Sequence, residues 1–150
     1  MQLAPKGAFC YTVDMEKIDL FRELSYEIVG LAMEVHKIYG SNHKEIIYQR
    51  ALAEKLTLAG VKFEQEPQIQ VLSIDTGKKL GWYQPDIFID KKIILELKAT
   101  NYPLKVHETQ LRDYLKCSQI ELGYILNFGM PSLYYRRIIY TNNQKLHTSV

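Results

Sequence analysis

At 150 residues the chain is long enough for one domain with a substantial hydrophobic core and too short for two of ordinary size. It is 47% hydrophobic, 24% charged and 11% aromatic, which excludes a disordered or collagen-like chain. Lys plus Arg number 19 against 17 for Asp plus Glu, a formal net charge of +2, so any anionic partner must be met by a local site rather than by bulk charge.

Cys10 and Cys117 show no CxxC or Cys/His spacing, which argues against a zinc site and against a disulfide-stapled secreted scaffold and makes a reducing cytoplasm the expected compartment. The first residues carry Asp14, Glu16 and Asp19 and no continuous apolar run, so neither a signal peptide nor a membrane span is expected there. Residues 1–23 are expected to form an N-terminal extension and residues 24–150 a single domain.

Within residues 24–39, Ile28, Leu31, Ala32, Val35, Ile38 and Tyr39 recur at spacings of three and four, which predicts a helix with one buried face and Ser25 as its cap. After Gly40 and Ser41 the same spacing resumes over residues 45–59 through Tyr48, Ala51, Leu52 and Leu56 and stops at Gly60. From Val61 the pattern changes to short runs rich in β-branched and aromatic residues: VKFEQE, IQVLSI, GWYQPDIFI and IILELKA. A meander of three or four strands is expected, followed by a helix in VHETQLRDYLKCS and two strands in ELGYILNFG and LYYRRIIYT. The whole reads as an α/β domain with a mixed central sheet covered by helices.

The chemistry concentrates in PDIFIDKKIILELKAT, residues 85–100, where Glu96 and Lys98 interrupt a strand otherwise written for burial on both faces. Strand alternation puts both on one face, with Leu95, Leu97 and Ala99 on the other. Asp86 precedes Glu96 by ten positions and faces it if the hairpin closes through a three-residue loop of Asp90, Lys91 and Lys92; a two-residue loop would send the aspartate to the opposite face. Two carboxylates and a lysine converging at a sheet edge suit magnesium, a hard cation that takes oxygen ligands and keeps several waters. Such a site would serve phosphodiester hydrolysis, with Lys98 holding the attacking hydroxide or the charge developing on phosphorus. A solvated Glu96–Lys98 pair is the simpler competing account.

Gln110 and Tyr114 stand four apart on the third helix, hence on one face, where they could contact phosphate and base; Tyr114 in the core and His107 in the first helical turn is the alternative. Glu45 could add a carboxylate to the metal, or could complete a capping box with Asn42 as N-cap. His36 reads as a half-buried packing residue.

With PD, nine residues and then ELK, together with EVHKIYG, EIIY, VHETQLRDYL and LNFG in that order, the chain resembles the GxxExxY protein family of the PD-(D/E)XK nuclease superfamily over residues 24–140. The resemblance implies the restriction-endonuclease-like αβββαβ core, with Asp86, Glu96 and Lys98 as the catalytic residues. It implies metal ligation by Glu45, Asp86, Glu96 and the Leu97 carbonyl, and substrate contacts from Tyr48, Gln110 and Tyr114. The glycine that opens the family motif is Asn42 in this chain, a residue that tolerates the left-handed backbone the turn would need. The expected function is a nuclease using Mg2+ or Mn2+ on nucleic acid, DNA foremost. The rival is a catalytically inactive relative that binds nucleic acid or a protein partner.

Overall fold

The computed structural model describes residues 21–103 and 105–141. Residues 1–20 of the expected N-terminal extension, Cys10 included, lie outside the described residues.

Two helices come first, α1 (Arg22–Tyr39) and α2 (Glu45–Leu58). Helix α1 begins two residues earlier than its apolar pattern, with Phe21 at the N-cap; Ser25 is inside the helix and buried, its amide bonded to the Phe21 carbonyl, so it does not cap. Gly40 ends α1 at φ 74°, a left-handed backbone that glycine adopts without a Cβ clash.

The strands are β1 (Phe63–Gln65), β2 (Ile69–Leu72), β3 (Lys79–Tyr83), β4 (Ile87–Ile89), β5 (Ile93–Lys98), β6 (Leu122–Asn127) and β7 (Tyr134–Ile139), with α3 (Lys105–Lys116) between β5 and β6. Five of them form a mixed sheet in the order β1-β4-β5-β6-β7, and β2 with β3 forms a separate two-stranded sheet. The expected meander is therefore corrected: β1 pairs antiparallel with β4, and the β2–β3 hairpin is an excursion between these two neighbours. The run GWYQPDIFI also divides into β3 and β4 around Gln84-Pro85-Asp86, where Pro85 lacks the N–H a ladder requires.

Strand β5 pairs antiparallel with β4 and parallel with β6, the parallel step made possible by the α3 crossover. These three central strands are covered on both faces. On one, Ile87, Ile89, Leu95 and Leu97 pack against Ile28, Val35, Leu52 and Leu56 of α1 and α2. On the other, Phe88, Ile94 and Ile125 pack against Leu111 and Leu115 of α3. Fully burying each such side chain contributes about 1.5–3 kcal/mol before entropy is charged against it. The hairpin lies on the α3 side, tied there by the Leu72 amide donating to the Cys117 carbonyl at 2.7 Å. Within the described residues, no helix is long and apolar enough to cross a membrane.

Candidate active site

The β4–β5 turn decides where the acidic groups stand. Ile89 pairs with Ile93, leaving Asp90, Lys91 and Lys92 as the three-residue loop, and Ile87 pairs with Leu95, so Asp86 stands opposite Glu96 one step beyond the ladder. No glycine is needed: Asp90 and Lys91 both take positive φ, 47° and 54°, and the Lys92 amide closes the turn on the Ile89 carbonyl at 2.8 Å.

Asp86 is held by the neighbouring strand. Its Oδ2 accepts the Leu97 amide proton at 2.7 Å, which places the carboxylate between the bases of Glu96 and Lys98. The Leu97 side chain points away into the core beneath α1 and α2, so Leu97 meets this region through its backbone. Gln49, one helical turn after Glu45, donates weakly to the Asp86 carbonyl at 3.4 Å.

Glu45 is the first residue of α2, but the N-cap is Lys44 and no side chain caps the helix, so the Asn42–Glu45 capping box is not formed. Nor is Asn42 left-handed; the positive φ of this turn is carried by Gly40. The Glu45 carboxyl, released from capping, is coupled electrostatically to Lys98 and Asp86.

Three carboxyls thus share one neighbourhood, and each is raised above its ordinary pKa. Burial is the first cause for Glu45, Asp86 and Glu96 alike. Lys98 pulls all three back, while mutual repulsion and Glu66 push up. Glu96 reaches about 7, with Asp86 and Glu45 adding to its burial and a hydrogen bond from Tyr83 opposing it.

Tyr83, absent from the sequence reading, is a principal member of the site. Its hydroxyl donates to Glu96 Oε1, and its ring lies flat on Tyr114 with centroids 3.7 Å apart and planes 9° from parallel. Burial and the Glu96 charge hold its own proton firmly, raising the phenol well above its usual range. A cleft of about 280 Å³ opens here, lined by Trp82, Tyr83, Glu96, Lys98, His107, Gln110 and Tyr114 among others. Gln110 and Tyr114 therefore reach the same cleft as Glu96 and Lys98. His107 does too, and burial followed by the Lys98 charge lowers its pKa.

Tyr48 is not at this surface. It is 0% exposed, stacks on Phe128 with centroids 4.6 Å apart, donates its hydroxyl to the Gly40 carbonyl at 2.6 Å and accepts the His43 amide at 3.1 Å. That is the setting of a residue that fastens the α1–α2 turn, closed to a substrate. His36 is half-buried, with its Nε2 2.8 Å from the Met130 carbonyl oxygen.

Asn127, also missed, terminates β6 at 2% exposure. Its Oδ1 accepts from the Thr100 and Gly129 amides, both at 3.0 Å, and its Nδ2 donates to Thr100 Oγ1 at 3.0 Å. The loop leaving β5 directly after Lys98 is thereby fastened to β6. A Cβ on Gly129 would sit 2.4 Å from the Thr100 nitrogen, so this approach requires glycine.

Hard carboxylate oxygens crowded until burial and repulsion raise them are the donor chemistry a divalent cation relieves. Among the described residues no three Asp, Glu, His or Cys side chains are grouped closely enough to cage a metal. One or two of these carboxylates would suffice for a hard divalent cation whose shell is completed by water and substrate phosphate.

The fold is a mixed sheet flanked by helices, with an aspartate facing a Glu-x-Lys strand. The family model for the PD-(D/E)XK nuclease superfamily matches residues 22–138, and the chain belongs to that superfamily. The Ty1-GR3 and Ty1-OR transposon Gag-Pol polyproteins of Saccharomyces cerevisiae (strain ATCC 204508 / S288c) are each 35% identical to it over 89 residues, 59% of this chain. The chain spans only 4% of the length of those polyproteins. The crystal structure of SSO0001 aligns with 79% of this chain and 68% of its own at 21% identity, with a TM-score of 0.44.

Proposed function

We propose that the protein is a magnesium-dependent nuclease that hydrolyses phosphodiester bonds, with DNA as its substrate. The observation that carries this reading is the coupling of Glu45, Asp86 and Glu96 to one lysine, Lys98, beside an open cleft. Asp86 and Glu96 would hold the cation, with Glu45 and the Leu97 carbonyl as further oxygen donors. The bound metal would supply Lewis acidity and a water acidic enough to ionise near neutral pH. Lys98, on the same strand face as Glu96, orients the attacking oxygen and offsets charge building on the phosphate. Gln110 offers its amide to a phosphate oxygen across the cleft, and Tyr114 braces Tyr83 and so the wall that holds Glu96.

The test is incubation of pure protein with single- and double-stranded DNA and RNA, with magnesium, manganese or EDTA. Metal-dependent cleavage of DNA that disappears in Glu96→Ala and Lys98→Ala is expected. Equal cleavage by wild type and Glu96→Ala overturns the assignment. A second reading, a nuclease fold that binds without cutting, draws on the engagement of one oxygen of each central carboxylate, Asp86 by the Leu97 amide and Glu96 by Tyr83. Magnesium titration by calorimetry separates the two: the enzyme binds the ion and loses that binding on Asp86→Ala.

A further inference from the structure

We propose that Trp82 and Lys79, on the β2–β3 hairpin, form a base-stacking subsite at the mouth of the cleft that takes an unpaired nucleotide beside the scissile phosphate. Single-stranded or frayed nucleic acid is then the preferred substrate class; the inference rests on the nuclease reading above and narrows it.

Trp82 lines the same cleft as Glu96 and Lys98, yet it remains 49% exposed. Among the described residues no other ring stacks on it. What covers it is a cation: Lys79 Nζ lies 3.7 Å from the ring centroid. Strict alternation would put residues 79 and 82 on opposite faces of β3. A β-bulge prevents that, because Val71 pairs with Gly81 while Leu72 pairs with Lys79, leaving Leu80 as the extra residue. The shifted alternation re-aims Lys79 onto the face that carries Trp82.

An indole that stays 49% exposed with an ammonium over its ring presents both features that single-strand binders combine, a platform for a base and a charge for the backbone. The faces of bases inside a duplex are already covered by their neighbours, so only an unpaired base can offer one to Trp82. The space agrees, since a cleft of about 280 Å³ is of the order a single nucleotide fills. Position rests on the cleft itself: Trp82 lines it together with Glu96 and Lys98, while its neighbour Tyr83, on the other face of β3, is bonded to Glu96 and stacked on Tyr114. A base seated on the indole would lie at the rim of that cleft.

The chain contains one tryptophan, so fluorescence excited beyond the tyrosine absorption edge reports from Trp82 alone. The full chain is titrated in EDTA with an oligothymidylate and with a blunt hairpin duplex of equal length. Saturable quenching by the single strand is expected, with the duplex needing about tenfold higher concentration. By anisotropy of a labelled single strand, Trp82→Ala should weaken binding about tenfold, Trp82→Phe should keep most of it, and Lys79→Ala should reduce the salt dependence. Circular dichroism confirms that each variant is folded. Metal-dependent cleavage together with emission unmoved by the single strand, or equal affinity in wild type and folded Trp82→Ala, overturns the subsite and leaves the nuclease reading standing. Quenching without any cleavage supports the subsite while the nuclease reading fails.

Discussion

The Tyr83 hydroxyl donates to the Glu96 carboxylate while the Tyr83 ring rests flat on Tyr114, so the third helix braces an acidic group of the central sheet through one intermediate side chain. That bond favours the ionised carboxylate and opposes the burial that lifts it to about 7. Tyr83→Phe keeps the ring and removes the donor. The Glu96 carboxyl should then titrate higher, moving the rising limb of the pH–rate profile to higher pH and raising half-saturating magnesium several-fold. A pH–rate profile and a magnesium titration that match wild type would refute this role.

Glu96 also trades stability against readiness. Its pKa rises from 4.5 to about 7 on folding, so the folded chain binds that proton more tightly than the unfolded one. The resulting stabilisation is complete below about pH 4.5 and is lost as pH climbs through about 7. Glu96→Gln should be more stable than wild type at pH 8, by roughly 2–3 kcal/mol, with the gap closing at pH 4. Urea denaturation at the two pH values measures the difference. Added magnesium should stabilise wild type and leave the variant unchanged.

Tyr48→Phe should cost about 1–2 kcal/mol in urea denaturation, through loss of the hydroxyl bonds to Gly40 and His43. The ring stays on Phe128, so substrate affinity in the folded variant should equal wild type. A change in affinity with unaltered stability would return Tyr48 to the substrate surface.

Two glycine replacements should have opposite signs. At Gly129 a new Cβ meets backbone atoms at 2.4 and 2.6 Å that no rotamer can move aside, and Gly129→Ala should destabilise by about 1–3 kcal/mol or more. At Gly30, inside α1, nothing lies within 4 Å, and Gly30→Ala should stabilise by about 0.5–1 kcal/mol. Chemical denaturation of the pair tests whether close approach, rather than glycine flexibility, is what the β6 exit needs.

Asn127→Ala should strand the Thr100 and Gly129 amides and cost about 1–3 kcal/mol in the same measurement. Because the loop it fastens follows Lys98 directly, cleavage should fall more than the lost stability alone explains.

Much of the architecture was legible because burial writes itself as periodicity. Glu96 and Lys98 interrupt an apolar run with period two, and Asp86 follows from them once the loop length is known. The loop itself was obscure, since Asp90 and Lys91 enter the left-handed region without glycine. Strand partnership was harder still: three-residue β1 and β4 carry no mark that they pair across an intervening hairpin. Local capping signals misled at Ser25, which is buried inside the helix, and at Asn42, two residues before the actual N-cap Lys44. Tyr83 went unseen because an aromatic next to Trp82 and three residues before Asp86 looks like any core residue until the fold brings it to Glu96. Asn42 did not need the left-handed backbone expected of it, because Gly40 carries the positive φ of this turn.

The β2–β3 excursion has an evolutionary corollary. It departs from β1 and returns to β4, strands that are neighbours without it, so its outward side chains, Lys79 and Trp82 among them, can drift while the ladder beneath stays intact. Tyr83 is the exception, a single peg through which this awning is nailed to the acidic hearth under it.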